Sequence, residues 1–320
     1  MKTLLISHIA DNDGVSPIIL LKLVLNDFDY KLLEIYEVED YVNELIDSGR
    51  YKEYDQIYIT DLKLTMELCE KIDNIEELKN KLLVFDHHQS NLFVNDFNFA
   101  TVIVKNEEGR MECGTSLFYK YLKNKYPNSI LNNKIVSNYV ELVRENDTWD
   151  YLIENEPKAK KLGMLFSLYN REKYINSMLT NLKNNVDELF SSEENYLFSI
   201  EQERMNDYIE SKKDKVYFGK INNYEVGIVF AESYRSVLGN YLAKYYEDKV
   251  DFIIIINFDH GISYRTIKEV NVGEFAQIYG GGGHQKAAGS YFPDGFHKQL
   301  IELLYEGIIL KDANWKNYCW

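Results

Sequence analysis

The sequence predicts an α/β protein with an N-terminal doubly wound parallel sheet and a smaller C-terminal α/β domain. Across residues 2–88, short apolar runs alternate with amphipathic stretches. Strands buried on both faces lose the in-and-out alternation of a half-exposed strand, so this rhythm is typical of a parallel sheet covered by helices. After Val216 a new set of strand-like runs begins. The length of 320 residues also exceeds what one hydrophobic core usually serves.

The N-terminal sheet is predicted from four runs and the stretches between them. The runs are KTLLISH (2–8), KLLEIY (31–36), DQIYIT (55–60) and KLLVFDHH (81–88). Helices are expected at 15–25, 41–48 and 65–80. From Asn132 to about Lys213 the pattern is helical and charged. We therefore expect a first domain over residues 1–185, a helical connector over 186–214 and a second domain over 215–320.

The second domain is predicted from four more strand-like runs and one helix. The runs are KVYFG (215–219), YEVGIVF (224–230), DFIIIINF (251–258) and ISYRTI (262–267), and the helix is expected near 236–246. A run of four glycines, Gly280 to Gly283, is followed by His284 and the small residues Ala287, Ala288 and Gly289. We expect a tight loop there that enters a packed helix. Glycine amides can approach a phosphate closely, whereas a merely flexible loop is the plainer alternative.

Charge and cysteine content exclude several classes of protein. The net charge of −15 argues against a protein that coats long nucleic acid, because such binding releases counterions to a basic surface. A small anionic substrate in one local pocket is compatible with it. The three cysteines form no CxxC pair, which disfavours a disulfide framework or a zinc knuckle and predicts a reducing cytoplasm. The apolar stretch Leu4 to Ile6 is too short for a signal peptide or a membrane span.

Metal-binding side chains follow three of the four predicted strands. The segment SHIADNDG places His8, Asp11 and Asp13 within six residues, after a strand and before a helix. Asp61 follows the third strand directly. Ligands of parallel sheets bind beyond the carboxyl ends of the strands, so these groups are expected to share one site. An ordinary helix N-cap would need only one of the aspartates, and the later ligands of a calcium loop are missing.

The segment VFDHHQS ends the fourth strand with an acid and two adjacent histidines. Strand alternation places Asp86 and His88 on one side and His87 on the other. One histidine can then bind metal while the other meets substrate. Two satisfied surface histidines are the alternative, but four of the six histidines fall inside such motif-like segments, at positions 8, 87, 88 and 284.

Five ordered motifs resemble those of the DHH phosphoesterase superfamily and its associated C-terminal domain. They are SHIADNDG, ITDL (59–62), VFDHHQS, ENDTW (145–149) and GGGGHQKAAG (280–289), the last preceded by ISYRT. The superfamily includes RecJ-like exonucleases, nano-RNases, cyclic-dinucleotide phosphodiesterases and family II inorganic pyrophosphatases. The layout is most similar to oligoribonuclease and bisphosphate phosphatase members.

The resemblance implies two divalent ions, usually Mn²⁺, with Mg²⁺ or Co²⁺ as alternatives. One ion would be held by His8, Asp11 and Asp61. The other would be held by Asp13, Asp61, His87 and Asp147. Asp61 would then bridge the two ions, which together would activate a water and clamp the phosphoryl oxygens. ENDTWD also offers Asp150, and the choice between Asp147 and Asp150 stays open, with Asp147 preferred.

The resemblance also implies catalytic and substrate-binding side chains. Asp86 would orient a histidine, and His88 would approach the scissile phosphate. The nucleotide end would bind at the C-terminal loop formed by Gly281, Gly282, Gly283 and His284. Arg265 is the expected phosphate fork, because a guanidinium matches phosphate with two parallel hydrogen bonds. Ser233 and Arg235 are weaker candidates of the same kind.

The expected function is hydrolysis of short oligonucleotides to nucleoside monophosphates by a cytoplasmic, nano-RNase-like enzyme. Removal of a phosphate from adenosine 3′,5′-bisphosphate and cleavage of cyclic or linear dinucleotides are the alternatives. The acidic composition disfavours a RecJ-like enzyme on long strands, and no membrane partner is expected. A non-catalytic nucleotide sensor would have no need of four metal motifs, and a zinc-dependent structural protein would need cysteine clusters. A homodimer is left open.

Overall fold

The computed structural model describes residues 2–151, 157–184 and 188–305. The chain divides into two compact units, Met1–Ile200 and Glu201–Trp320. The dividing point lies inside a long helix, within the segment expected to connect two domains. The exact bounds 1–185, 186–214 and 215–320 stay a prediction.

The first unit is built on a five-stranded sheet in which every pair of neighbours is parallel. Its strands are β1 (Thr3–His8), β2 (Asp29–Leu33), β3 (Gln56–Thr60), β4 (Leu82–Asp86) and β5 (Ala100–Val102). Their spatial order is β2-β1-β3-β4-β5. The doubly wound sheet predicted from the sequence is confirmed, and the short edge strand β5 is an addition. Strand β2 lies two residues earlier than expected, because residues 35–37 form a short 3₁₀ turn that Glu34 and Glu37 cap.

Nine helices belong wholly or partly to the described part of this unit. They are α1 (Asn12–Lys22), α2 (Val38–Asp47), α3 (Met66–Asp73), α4 (Glu76–Lys79), α5 (Gly114–Lys125), α6 (Lys134–Asp147), α7 (Pro157–Leu168), α8 (Arg171–Asn184) and α9 (Ser192–Lys213). The single helix expected over 65–80 is divided in two. No helix of the described residues is long and apolar enough to cross a membrane.

Apolar layers cover both faces of the parallel sheet. Leu5 belongs to the layer that packs against α1 and α5, whereas its neighbours Leu4 and Ile6 belong to the opposite layer with Val42 of α2. All of these side chains are almost fully buried. Burial on both faces leaves the edge formed by the carboxyl ends of the strands as the place where polar side chains can gather.

The second unit holds a six-stranded mixed sheet of order β10-β11-β9-β8-β7-β6. The strands are β6 (Tyr217–Ile221), β7 (Tyr224–Phe230), β8 (Phe252–Asn257), β9 (Gly261–Arg265), β10 (Gly282–Gly283) and β11 (Ala287–Ser290). The helices are α10 (Arg235–Tyr245), α11 (Val272–Ile278) and α12 (Phe296–Tyr305). Helix α10 packs on one face through Leu238, and α11 packs on the other through Phe275. A small α/β domain was predicted here, and the mixed sheet with its helices matches it.

The segment after the glycine run is a strand, so the packed helix expected there was wrong. Gly282 and Gly283 pair antiparallel with residues of β11, and the reversal lies at His284 to Ala287. A Cβ atom on Gly281 would lie 2.0 Å from the carbonyl oxygen of Gly289. The small residues therefore allow two backbone segments to approach closely, which the sequence pattern alone did not distinguish from helix packing.

Candidate metal centre

The carboxyl edge of the parallel sheet brings the N-terminal motifs together. His8 is the last residue of β1, Asp86 is the last residue of β4, and Asp61 follows β3 directly. Asp11 caps the N-terminus of α1 by accepting a hydrogen bond from Gly14 N at 2.9 Å. Helix α1 therefore begins at this edge, which places Asp13 in its first turn.

One group of metal-binding side chains is formed by His8, Asp11 and Asp61. His8 Nδ1 lies 3.2 Å from Asp11 Oδ2 and 3.4 Å from Asp61 Oδ2. A Cβ atom on Gly14 would lie 2.3 Å from the His8 carbonyl oxygen. Only glycine fits at this point, so the sequence DNDG sets how tightly the loop folds against His8.

A second group contains Asp13, His87 and Asp147, with Asp61 beside it. His87 Nε2 lies 3.4 Å from Asp61 Oδ1, 3.5 Å from Asp147 Oδ2 and 3.7 Å from Asp13 Oδ2. The two oxygens of Asp61 thus face two different histidines. This is the arrangement that a carboxylate shared between two ions requires.

Two buried atoms at the centre of this cluster form no hydrogen bond with any described residue. They are Asp61 Oδ2 and His87 Nε2, and both are enclosed. The great majority of buried polar atoms in proteins form a hydrogen bond, so each one that does not calls for an explanation. Carboxylate oxygens and imidazole nitrogens without a thiolate suit Mg²⁺ or Mn²⁺. The donor set and the unpaired atoms therefore fit a divalent ion.

Electrostatics within the cluster also favour a bound cation. Burial alone would lower the pKa of His8 and His87, but the neighbouring carboxylates outweigh it and raise each to about 10. Burial, together with the charges of Asp13 and Asp11, raises the pKa of Asp61 to about 6. Burial and Asp13 likewise raise the pKa of Asp147. The acids repel one another in a desolvated space, and cations would remove that repulsion.

Asp86 and His88 pair with each other and belong, with Asp61 and His87, to a third group of side chains that could hold a metal ion. His88 Nδ1 donates to Asp86 Oδ1 at 2.8 Å, and Asn91 Nδ2 donates to Asp86 Oδ2 at 2.6 Å. Asp86 and Asn91 are fully buried, whereas the His88 side chain is 48% exposed. The hydrogen bond that His88 donates to Asp86 raises the pKa of His88 and outweighs burial, which lowers it. A buried carboxylate therefore fixes the orientation of a partly exposed imidazole.

Asp147 and Asp150 have different surroundings. Asp147 lies beside His87, as described above. Asp150 accepts a hydrogen bond from Arg144 Nη1 at 2.5 Å, and Arg144 is almost fully buried. The structure brings Asp147 into the cluster and leaves Asp150 in a separate ion pair.

Several supporting residues were missed by sequence reasoning. Asp13 accepts hydrogen bonds from Gly114 N at 2.7 Å and Thr115 N at 2.8 Å, at the beginning of α5. A Cβ atom on Gly114 would lie 2.9 Å from the Asp61 Cβ. Arg171 Nε donates to the Ile9 carbonyl at 2.9 Å, which ties α8 to the His8 loop. The one signal in the sequence that could have indicated α5 was Gly114, the glycine at which this helix begins.

Within the second unit, Arg265 lies beside the first turns of α10. It donates to Tyr264 O at 2.8 Å, Ala288 O at 3.3 Å and Ser236 Oγ at 2.9 Å. No carboxylate pairs with it among the described residues. Burial, and then the charge of Arg235, lowers its pKa.

A cavity of about 400 Å³ lies beside the glycine hairpin. Its walls include His260, Ser263, Gly281, Gly282 and Tyr291. Gly283 and His284 belong to the same hairpin but do not line this cavity, and neither does Arg265. Of the predicted substrate residues of the second unit, Gly281 and Gly282 therefore line this cavity, whereas Gly283, His284 and Arg265 lie outside its walls.

Comparison with known proteins identifies the family of this chain. The model of the DHH family, N-terminal domain, matches residues 2–144. Oligoribonuclease NrnB of Bacillus subtilis (strain 168) is 31% identical over 302 residues, which cover 93% of this chain and 74% of that protein.

Two solved structures share the fold. The pGpG-specific phosphodiesterase PggH from Vibrio cholerae has a TM-score of 0.53 at 13% identity, covering 96% of this chain and 99% of that one. The exonuclease RecJ bound to manganese has a TM-score of 0.54 at 10% identity, covering 94% and 88%. Identity with NrnB across most of both chains is the stronger finding. The chain therefore belongs to the DHH family of phosphoesterases and is a hydrolase.

Proposed function

We propose that this chain hydrolyses short oligonucleotides to nucleoside monophosphates, using two divalent cations at the DHH centre, with Mn²⁺ as the resident ion. The observation that carries the proposal is Asp61, whose two oxygens face His8 and His87 in separate groups of ligands. The similarity to the oligoribonuclease NrnB supports the choice of substrate class.

In this proposal, His8, Asp11 and Asp61 hold one ion, and Asp13, Asp61, His87 and Asp147 hold the other. When bound, the ions supply an activated water and neutralise charge on the phosphoryl oxygens. The backbone amides of Gly114 and Thr115 fix the Asp13 carboxylate before any ion arrives. Metal ligands that are already oriented by hydrogen bonds to neighbouring groups bind the metal more tightly.

Asp86 and His88 act on the substrate phosphate. The Asp86 carboxylate accepts from His88 Nδ1, so this ring nitrogen carries a proton. A raised pKa keeps His88 protonated to higher pH than an ordinary histidine. The Nε2–H can then donate to a phosphoryl oxygen or to the leaving oxygen.

Arg265 is proposed to bind a phosphate of the substrate, and the glycine hairpin with His284 to receive its nucleotide end. A guanidinium carries five N–H donors, and three hydrogen bonds occupy donors on Nη1 and Nη2. The Nε–H and one Nη2–H bind no group of the described residues and would be available to a ligand. Those two donors form the fork that matches a phosphate.

The test measures hydrolysis of a panel of substrates in Mn²⁺ and in Mg²⁺, with a control in which a chelator removes the metal. The panel contains dinucleotides, five-mers, long single strands, cyclic dinucleotides, adenosine 3′,5′-bisphosphate and pyrophosphate. We expect the highest kcat/KM on the shortest linear oligonucleotides, with nucleoside monophosphates as products. A preference for long strands or for the bisphosphate would contradict the proposed substrate.

The matched variants are Asp61→Asn and Asp73→Asn. Asp61 has a backbone φ of +54°, a region in which asparagine is tolerated best after glycine, so the first change removes charge without adding strain. Asp73 lies at the partly exposed end of α3 and serves as the control. Equal activity of the two variants would contradict the shared-carboxylate centre.

A further inference from the structure

The outer edge of β2 has no strand partner in the described part of the chain. Strand β2 pairs with β1 on one side and ends the sheet on the other. It contains neither proline nor glycine, and most of it is exposed. Natural proteins usually interrupt or cover such an edge, because its free amides and carbonyls can pair with another strand.

The backbone groups that point outward can be assigned from the register. Ile9 N donates to the Leu33 carbonyl, so Leu33 directs its backbone toward β1. Backbone groups alternate in direction along a strand, which turns those of Tyr30 and Leu32 to the outside. In agreement, the amide of Glu34, two residues further on, is bound by the Glu37 carboxylate instead of by β1.

The sequence of this edge is complementary to itself in the antiparallel direction. When Tyr30 of one copy lies opposite Tyr30 of another, Phe28 faces Leu32 and Asp29 faces Lys31. Tyr30, which is 44% exposed, and Phe28 already lie near each other, with ring centroids 6.1 Å apart. Aromatic and aliphatic pairs would therefore form on one face of the joined sheets.

Opposite charges would pair on the other face. Asp29 would meet Lys31 twice, because the two-fold axis through Tyr30 repeats every contact. The side chain of Asp29 is 52% exposed, and although Tyr54 and Lys2 contact its Oδ2, Oδ1 remains available. The same register aligns the outward backbone groups of Tyr30 with their own copies, which gives two hydrogen bonds at the axis.

Exposed apolar side chains next to β2 would enlarge the contact. Ile35 is 55% exposed and Tyr36 is 80% exposed, directly after the strand. Antiparallel pairing brings the end of one β2 toward the start of the other, where Leu25 and Val24 follow α1 and are only partly buried. These positions extend an edge contact toward the size that a stable interface needs.

From this edge we infer that two copies of the chain associate through antiparallel pairing of their β2 strands, joining two five-stranded sheets into one. The occupant of the edge is a second copy, because the charge pattern and the apolar pattern are both satisfied by the same self-pairing register. The association is independent of the reaction catalysed, so failure of either proposal leaves the other intact.

The first experiment is sedimentation of the full chain and of charge variants. The wild type is expected to be a dimer. Lys31→Glu places like charges opposite each other twice and should weaken dimerisation roughly tenfold or more. The exchange Asp29→Lys with Lys31→Asp restores opposite charges and should restore the dimer. Lys52→Glu, an exposed residue outside the strand, is the control.

Disulfide trapping tests the register independently. Residues of a hydrogen-bonded antiparallel pair have Cα atoms about 5.5 Å apart, a distance that a disulfide spans. Tyr30→Cys should therefore form a covalent dimer on oxidation, whereas Tyr36→Cys and the parent should not. Cys69 and Cys113 are buried, and Cys319 is replaced by serine in the parent and in both variants so that it cannot contribute to trapping. A monomeric wild type, a dimer unaffected by Lys31→Glu, or no trapping at position 30 would each overturn the inference.

Discussion

The metal cluster in the first unit and Arg265 in the second differ in how well their polar atoms are satisfied. At the cluster, Asp61 Oδ2 and His87 Nε2 are buried and form no hydrogen bond with the described residues. Arg265 has two backbone carbonyls and a hydroxyl as partners, and two of its donors bind none of the described residues. The cluster is incomplete without cations, whereas Arg265 is already held in place.

This difference predicts two kinds of dependence. A site with unpaired buried atoms gains stability from whatever completes it, and its activity should fall steeply when a ligand is removed. A preorganised side chain contributes binding energy to the substrate, so its loss should appear mainly in KM. Variants of the cluster should therefore change mainly kcat, and variants of Arg265 should change mainly KM.

The largest effect is expected at Asp147, with Asp150 as its matched control. Asp147→Asn removes a proposed ligand and should lower kcat by roughly a hundredfold or more. Asp150→Asn removes one of two carboxylate partners of buried Arg144, the other being Glu141, and should destabilise the unit by roughly 1–2 kcal/mol while leaving kcat nearly unchanged. Steady-state kinetics and thermal melts in saturating Mn²⁺ measure both quantities. The reverse pattern would exchange the roles of the two aspartates.

The next effect is expected at Arg265. Arg265→Lys keeps a positive charge but loses the planar fork, so KM should rise roughly tenfold to a hundredfold with little change in kcat. Lys220→Ala, an exposed cation of the same unit, controls for a general loss of charge. A lower kcat at constant KM would instead indicate that Arg265 acts only in the transition state.

A smaller effect is expected at Asn91, which links the two strand ends. Its amide donates to Asp86 Oδ2, and its Oδ1 accepts from Leu64 N in the loop after Asp61. Asn91→Ala should lower kcat roughly tenfold through a less well oriented His88, with KM unchanged. Asn95→Ala is the matched control, because Asn95 makes comparable bonds to the backbone of Val102, away from the cluster. Equal kcat values for the two variants would assign Asn91 a purely structural role.

The sequence predicted those site residues that follow buried strands directly. His8, Asp61 and His87 could be found because an apolar run ends and a metal-binding side chain follows at once. Gly114 could not, since it lies 101 residues from the Asp13 carboxylate that it binds and only the packing of α5 brings them together. Asn91 was also missed, because its role depends on two strand ends becoming neighbours.

The same limit applied to the fold. The parallel sheet follows from apolar runs long enough to be buried on both faces. The segment AAGS was expected to be helical because small residues fit both a packed helix and a close antiparallel pair. Pairing with β9 and β10 decided between them, and that pairing depends on residues distant in the chain.

The cluster should also differ from Arg265 in its response to pH, which changes stability gradually. Without metal, His8 and His87 have pKa values near 10, above the ordinary value of 6.5, so both are protonated in the folded state at pH 8. Metal ligands must be neutral imidazoles, so binding should release about two protons. Calorimetry in two buffers of different ionisation enthalpy measures that number, and no release would contradict the proposed ligands.

The metal-free protein should also melt at lower temperature as pH rises. A histidine whose folded pKa is raised contributes stability that is fully present below about 6.5 and lost as pH passes 10. The folded-state pKa of Asp61 is also raised, to about 6, so its contribution to stability likewise falls as pH rises, but over a lower pH range. Saturating Mn²⁺ replaces those protons, so the Tm of the metal-bound protein should stay level or rise over the same interval. Arg265→Lys should leave the pH dependence of both curves unchanged, because the cations act on the first unit and the guanidinium on the second.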